Sequence, residues 1–131
     1  MQRVTVIKIR KDFQDNVNDE LKWLGSSLGL FGLRDKNSSC FRIFITLLKK
    51  TKHNEALSSD EIAERLKRTR GTVVHHLTRL MESGLAVREK KGYLLRENTL
   101  EGMIKDMKRE MASAFEELED AAKEIDEKLG L

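Results

Sequence analysis

Residues 61–96 read EIAERLKRTRGTVVHHLTRLMESGLAVREKKGYLLR, and their period changes once along the way. Up to Glu82 the apolar residues recur at helical spacing. Ile62, Ala63 and Leu66 mark one face of a short helix, and Val73, Leu77 and Leu80, flanked by Met81, mark the face of a second. Lys67, Arg68 and Thr69 separate the two as a tight turn, with Thr69 as the cap of a helix over 70–83. Gly84 stands where a helix C′ residue belongs. Beyond it, "LAVREKKGYLLR" alternates with period two and predicts two short strands with Lys90, Lys91 and Gly92 at their turn.

Working outward, "SCFRIFITLLKKTK" (39–52) places Phe41, Phe44, Ile45, Leu47 and Leu48 at helical spacing, with Ser38 or Ser39 as cap. "HNEA" (53–56) reads as a loop. Ser58 is the expected cap of the next helix, with Glu61 completing a capping box. Toward the N-terminus, "RVTVIKIR" (3–10) reads as a strand through Val4, Val6 and Ile9. An isolated strand leaves backbone groups unpaired, so it is expected to pair between subunits or add to a sheet. Residues 12–28 carry Phe13, Val17, Leu21, Leu24 and Leu28 and predict a helix capped by Asp12. The glycine- and serine-rich run to Ser39 is a packed connector, with Leu28, Leu30, Phe31 and Leu33. Thr99 caps a long helix reaching about residue 129. Leu100, Ile104, Met107, Met111, Ala114, Leu118, Ala121 and Ile125 alternate by four and three along it, the spacing of a coiled-coil seam.

The fold class expected is mainly α with a small β component: a winged helix-turn-helix with an N-terminal strand-helix arm and a long C-terminal coiled-coil-like helix. Three parts are expected, the arm and connector (1–36), the winged-helix unit (37–97) and the dimerisation helix (98–131).

The composition narrows the partners. Charged residues make up 36% of the 131, aromatics 5%, and proline is absent, which fits a helix-rich, charged protein. The net charge of +3 conceals an asymmetry. Residues 64–96 hold nine Lys/Arg against three Glu, whereas residues 97–131 hold five Lys/Arg against eleven Asp/Glu. A basic middle beside an acidic tail points to a polyanionic partner for the middle. A single cysteine, Cys40, forms no internal disulfide and supplies no zinc-ligand spacing. No apolar run approaches the ~20 residues of a membrane span, and the charged start "MQRVTVIKIRKD" is unlike a signal peptide. The expectation is a cytoplasmic protein.

Residues 38–97 resemble winged-helix transcriptional regulators of the ArsR-like superfamily, archaeal members especially. The resemblance is carried by Glu61-Ile62-Ala63, Leu66, Thr69, Thr72-Val73, His76-Leu77, Leu80 and Gly84-Leu85. It implies a helix-turn-helix whose second helix enters the major groove of duplex DNA. The turn slot that holds glycine in that family has Lys67 here. A lysine there must take a positive φ or a different turn.

The adjacent histidines divide their work. At 100° per residue, with Val73 at the core centre, His76 falls about 60° away, at the core edge, and His75 about 160° away, on the outer face. His75 shares that face with Gly71, Thr72, Val74, Thr78 and Arg79, and Arg70 stands at the helix start. These residues, with Arg68 in the turn and Arg88, Lys90 and Lys91 on the wing, are the candidate DNA-binding set. Guanidinium reads guanine or phosphate bidentately, and a basic ribbon tip meets backbone or minor groove. Neighbouring histidines point about 100° apart, so they do not form an i,i+4 metal pair, and neither metal nor cofactor is expected. No nucleophile, phosphate loop or carboxylate pair suggests an enzyme. The function expected is a homodimeric, sequence-specific binder of double-stranded DNA with an inverted-repeat operator, a repressor in preference to an activator. The alternative is a protein–protein adaptor working through the long helix.

Overall fold

The structure is a computed structural model and describes residues 6–8, 16–30 and 38–131. The readings placed on Val4, Ile9, Asp12, Phe13, Phe31 and Leu33 lie outside the described residues. The protein is mainly helical with a small two-stranded antiparallel sheet, and it divides into two compact units, Met1–Asn98 and Thr99–Leu131.

In the first unit, α1 spans Val17–Ser27. Its cap is Asn16, whose side chain accepts from the Asp19 N–H at 2.8 Å, so the helix begins later than the Asp12 start the spacing predicts. Val17 is accordingly solvent-exposed rather than part of an apolar stripe. The helix closes on Gly29 at φ 71°: the Leu30 N–H reaches the Gly25 carbonyl and the Gly29 N–H reaches that of Ser26. This paired ending satisfies carbonyls that the helix leaves open and draws Leu30 into the interior. Residues 6–8 are not a strand. The Ile7 N–H donates to the Ser27 carbonyl at 2.7 Å, so this stretch is tied to the end of α1 rather than to a sheet.

The second helix, α2 (Ser39–Thr51), supplies much of the core. Cys40, Ile43, Phe44 and Leu47 are buried, while Phe41, Ile45 and Leu48 are half-buried. The buried stripe is therefore turned by about one residue from the one the large side chains suggest. Cys40 and Thr51 occupy core positions because their position on the wheel outweighs their size or polarity. Ser38 holds the cap position at φ 54° without a side-chain capping bond.

The third and fourth helices follow closely. In α3 (Ser59–Leu66) Ser58 and Glu61 form the complete capping box, satisfying two otherwise open N–H groups. Lys67 ends it at φ 54°, in the left-handed region, as a lysine in a glycine slot must. Helix α4 (Arg70–Glu82) starts from Thr69, whose hydroxyl accepts from the Thr72 N–H. It ends through Gly84 at φ 76°, with the Leu85 N–H on the Leu80 carbonyl and the Gly84 N–H on that of Met81. Leu80 and Leu85, which this ending brings together, are both fully buried.

Strands β1 (Ala86–Glu89) and β2 (Gly92–Leu95) pair antiparallel, with Ala86 opposite Leu95 and Glu89 opposite Gly92. The two-residue turn is Lys90–Lys91, and Gly92 is already the first residue of β2. On its other side β2 meets Leu57, through bonds of 3.1 and 2.7 Å between Leu57 and Tyr93. Strand β2 is thus held on both edges, and it is buried along its length. The Thr51 hydroxyl, also buried, accepts from the Leu95 N–H at 3.0 Å and ties β2 to the end of α2.

The second unit is the helix α5, Leu100–Leu129, 30 residues long, so about 45 Å. Thr99 caps it through the Gly102 N–H, and Gly130 ends it at φ 71°. Ion pairs one turn apart, Glu101–Lys105 and Glu124–Lys128, decorate its surface. Met103 and Met107 are buried, and every residue from Ala112 onward is exposed.

Candidate nucleic-acid interface

The candidate site is built from α4, the turn before it and the β1–β2 hairpin. The core side of α4 is fixed by Val73, Leu77 and Leu80, all fully buried. With that side committed, Gly71, Val74, His75 and Thr78 face solvent, and Thr72 and Arg79 are half-exposed. His76 is buried at the core edge, and its ring meets that of His75 edge-on at a centroid distance of 5.2 Å. The pair therefore has one inner and one outer member.

The arginines differ in what they already hold. The Arg68 guanidinium donates from Nε to the Ser39 hydroxyl at 3.1 Å and from a terminal nitrogen to the Leu66 carbonyl at 3.2 Å. It pins the α3–α4 turn to the start of α2, a structural duty that residue type and position alone do not reveal. Arg70 faces Asp60 on α3 at 3.5 Å, with both side chains largely exposed. A surface pair of this kind is worth at most about 1 kcal/mol, so a phosphate can replace the carboxylate. Arg79 lies in the last turn of α4.

The hydroxyls also have partners. Thr78 donates to the Val74 carbonyl at 2.9 Å, and the Thr69 hydroxyl donates to that of Thr72 at 2.9 Å. At Gly71 an added Cβ would meet nothing within 4 Å, so the backbone there stands open to an approaching surface.

On the hairpin, Arg88, Lys90 and Lys91 are exposed. Arg88 lies over the ring of its cross-strand partner Tyr93, 5.6 Å from the centroid, which steadies the guanidinium by a cation–π contact. Gly92 sets the position of the tip. It sits at φ 140°, and a Cβ there would lie 2.3 Å from the Leu57 carbonyl group. Only glycine lets the hairpin approach Leu57 so closely. The strand-like role of Leu57 was not legible in "HNEA" and its neighbours, because a single bridging residue leaves no period.

Along α5 the expected seam residues fall into two groups. Leu100, Ile104 and Met111 are half-buried and Met107 is buried, whereas Ala114, Leu118, Ala121 and Ile125 are exposed. The large apolar side chains left in solvent are Phe115, Leu118, Ile125 and Leu129. Together with Met111 and Ala122 they also repeat by four and three, one residue over from Ala114 and Ala121. Side-chain size is the signal that distinguishes this stripe from the alanine one.

Among the described residues no cluster of His, Cys, Asp or Glu could hold a metal ion, and no helix is long and apolar enough to cross a membrane. Compared with known proteins, the chain matches no family model, no curated protein and no solved structure.

Proposed function

We propose that this chain is a homodimeric winged-helix regulator that binds double-stranded DNA sequence-specifically. The observation that carries the reading is the pairing of α4 with the hairpin. One helix buries one face completely and leaves Arg70, Gly71, Thr72, Val74, His75, Thr78 and Arg79 on the other. A β-hairpin beside it in sequence ends in Lys90 and Lys91 and carries Arg88. The order α2, α3, turn, α4, β1, β2 is that of a winged helix, and Leu57 bridging to β2 adds the short extra strand-like edge. A major groove ~12 Å wide admits one helix. Helix α4 occupies it, the hairpin meets the phosphates or the minor groove, and cationic side chains displace counterions from both.

The homodimer rests on α5. Phe115, Leu118, Ile125 and Leu129 are each more than half exposed, a continuous apolar stripe that a lone helix would leave wet. Two copies joined there offer two reading helices, hence an inverted-repeat operator with half-sites about one helical turn apart. The acidic tail stays off the phosphates. Repression follows most simply, because occluding a promoter requires no further surface. The chain acts without enzymatic chemistry, metal or cofactor, in the cytoplasm.

The same exposed stripe favours a second reading, a protein–protein adaptor in which α5 docks a partner. Selection of a random duplex library separates the two. Enrichment of an inverted repeat with half-sites about ten base pairs apart supports the regulator. Absence of retention even at low salt supports the adaptor.

A further inference from the structure

The outward face of α4 is less polar than its sequence. Residues 70, 74 and 78 succeed one another four apart, which sets each about 40° from the last and makes them one ridge. The ridge begins with Arg70, already facing Asp60. Its second member is Val74, 36% exposed and without a polar atom in its side chain. Its third is Thr78, whose hydroxyl proton is spent on the Val74 carbonyl at 2.9 Å. A threonine bound back to its own helix cannot also donate outward, and the methyl is the other group it presents. Thr72 lies off this ridge, and its hydroxyl oxygen accepts from that of Thr69 at 2.9 Å. Beyond Arg70 this ridge thus offers methyl carbons, at Val74 and Thr78, beside the polar side chains of Thr72, His75 and Arg79.

We infer that α4 reads its site through the 5-methyl groups of pyrimidines, with Val74 and the Thr78 methyl as the specificity-determining contacts. This rests on the DNA-binding reading above and deepens it. In the major groove the one apolar feature of the standard base pairs is the C5-methyl of thymine, and side-chain methyls are its usual partners. 5-Methylcytosine presents the same group. Burying one methyl group against an apolar surface is worth about fourfold in affinity. Arg70 and the hairpin cations then hold the helix in register through phosphates, while the methyls of Val74 and Thr78 choose their positions and Arg79 reads a further one.

The test uses the full-length protein and the best duplex from library selection. Each thymine is replaced in turn by deoxyuridine, which removes the methyl and nothing else, and affinity is read by fluorescence anisotropy. One or two positions per half-site are expected to lose about fourfold. At the Val74-contacted position the loss disappears in Val74→Ala. Thr78→Val, which keeps the methyl, retains the sensitivity at its own position, and Thr78→Ser, which keeps the hydroxyl, loses it. Val74 and Thr78 are surface positions, and unchanged circular-dichroism melting confirms that the variants fold. At a sensitive position rebuilt as C·G, methylation of the cytosine restores binding. Recovery to the thymine affinity assigns any 5-methylpyrimidine, and partial recovery assigns thymine. Sequence-specific binding that is indifferent to every uracil overturns the methyl readout and leaves the regulator standing. No retention of any duplex overturns both.

Discussion

Gly92→Ala strikes at the contact that seats the hairpin. The new Cβ would sit 2.3 Å from both the carbonyl carbon and oxygen of Leu57 and 2.7 Å from the Ser58 nitrogen, and backbone atoms do not swing aside as a side-chain tip does. Either Gly92 leaves φ 140° or the Leu57 segment withdraws. A non-glycine residue in that region costs about 1–3 kcal/mol. Withdrawal breaks the two Leu57–Tyr93 bonds of 2.7 and 3.1 Å, worth about 1 kcal/mol each. When φ 140° is kept and Leu57 withdraws, the two costs add to about 3–5 kcal/mol. For a unit of this size that lowers the melting temperature by at least about 12 °C. Gly71→Ala is the control. Its Cβ meets nothing within 4 Å and it lies in a helix, so it is neutral to about 1 kcal/mol stabilising. Thermal unfolding followed by circular dichroism, with two-state behaviour checked at two wavelengths, measures both. Gly92→Ala melting within about 2 °C of the parent would refute the claim that the hairpin is seated by close approach to Leu57.

Thr51→Val removes the buried acceptor of the Leu95 N–H; urea denaturation should show a loss of about 1–3 kcal/mol with unchanged slope, and Thr51→Ser should recover most of it. Arg79→Ala is expected to weaken specific DNA binding by about 1–3 kcal/mol and relax one operator position, as read by repeated library selection. The double change of Lys90 and Lys91 to Ala should weaken all sequences alike and reduce the salt slope by about 2, measured by titration at several salt concentrations. Leu118→Glu with Ile125→Glu places charge in the exposed α5 stripe; analytical ultracentrifugation should then find a monomer whose first unit still unfolds cooperatively, and an intact dimer would move the interface elsewhere.

Parts of the fold whose signals are local are legible in consecutive residues. Ser58 with Glu61, Thr69 and Thr99 each start a helix as capping chemistry dictates, because their partners lie three residues away. Gly84 ends α4 for the same reason, and Lys67 took the positive φ that its slot demands. The outward and inward histidines followed from the angle of one residue on a helix.

Tertiary structure decided what depends on distant neighbours. It tied Ile7 to Ser27 where β-branched composition suggested a strand. It chose Cys40 and Ile43 over Phe41 and Ile45 for the centre of the core. It also turned Arg68 from a free cation into the clamp on Ser39, 29 positions away in sequence. Leu57 became a strand-like partner only because Gly92, far along the chain, has no side chain to hold it off. A period or a cap is written in consecutive residues, whereas burial and pairing belong to whatever the folded chain brings alongside.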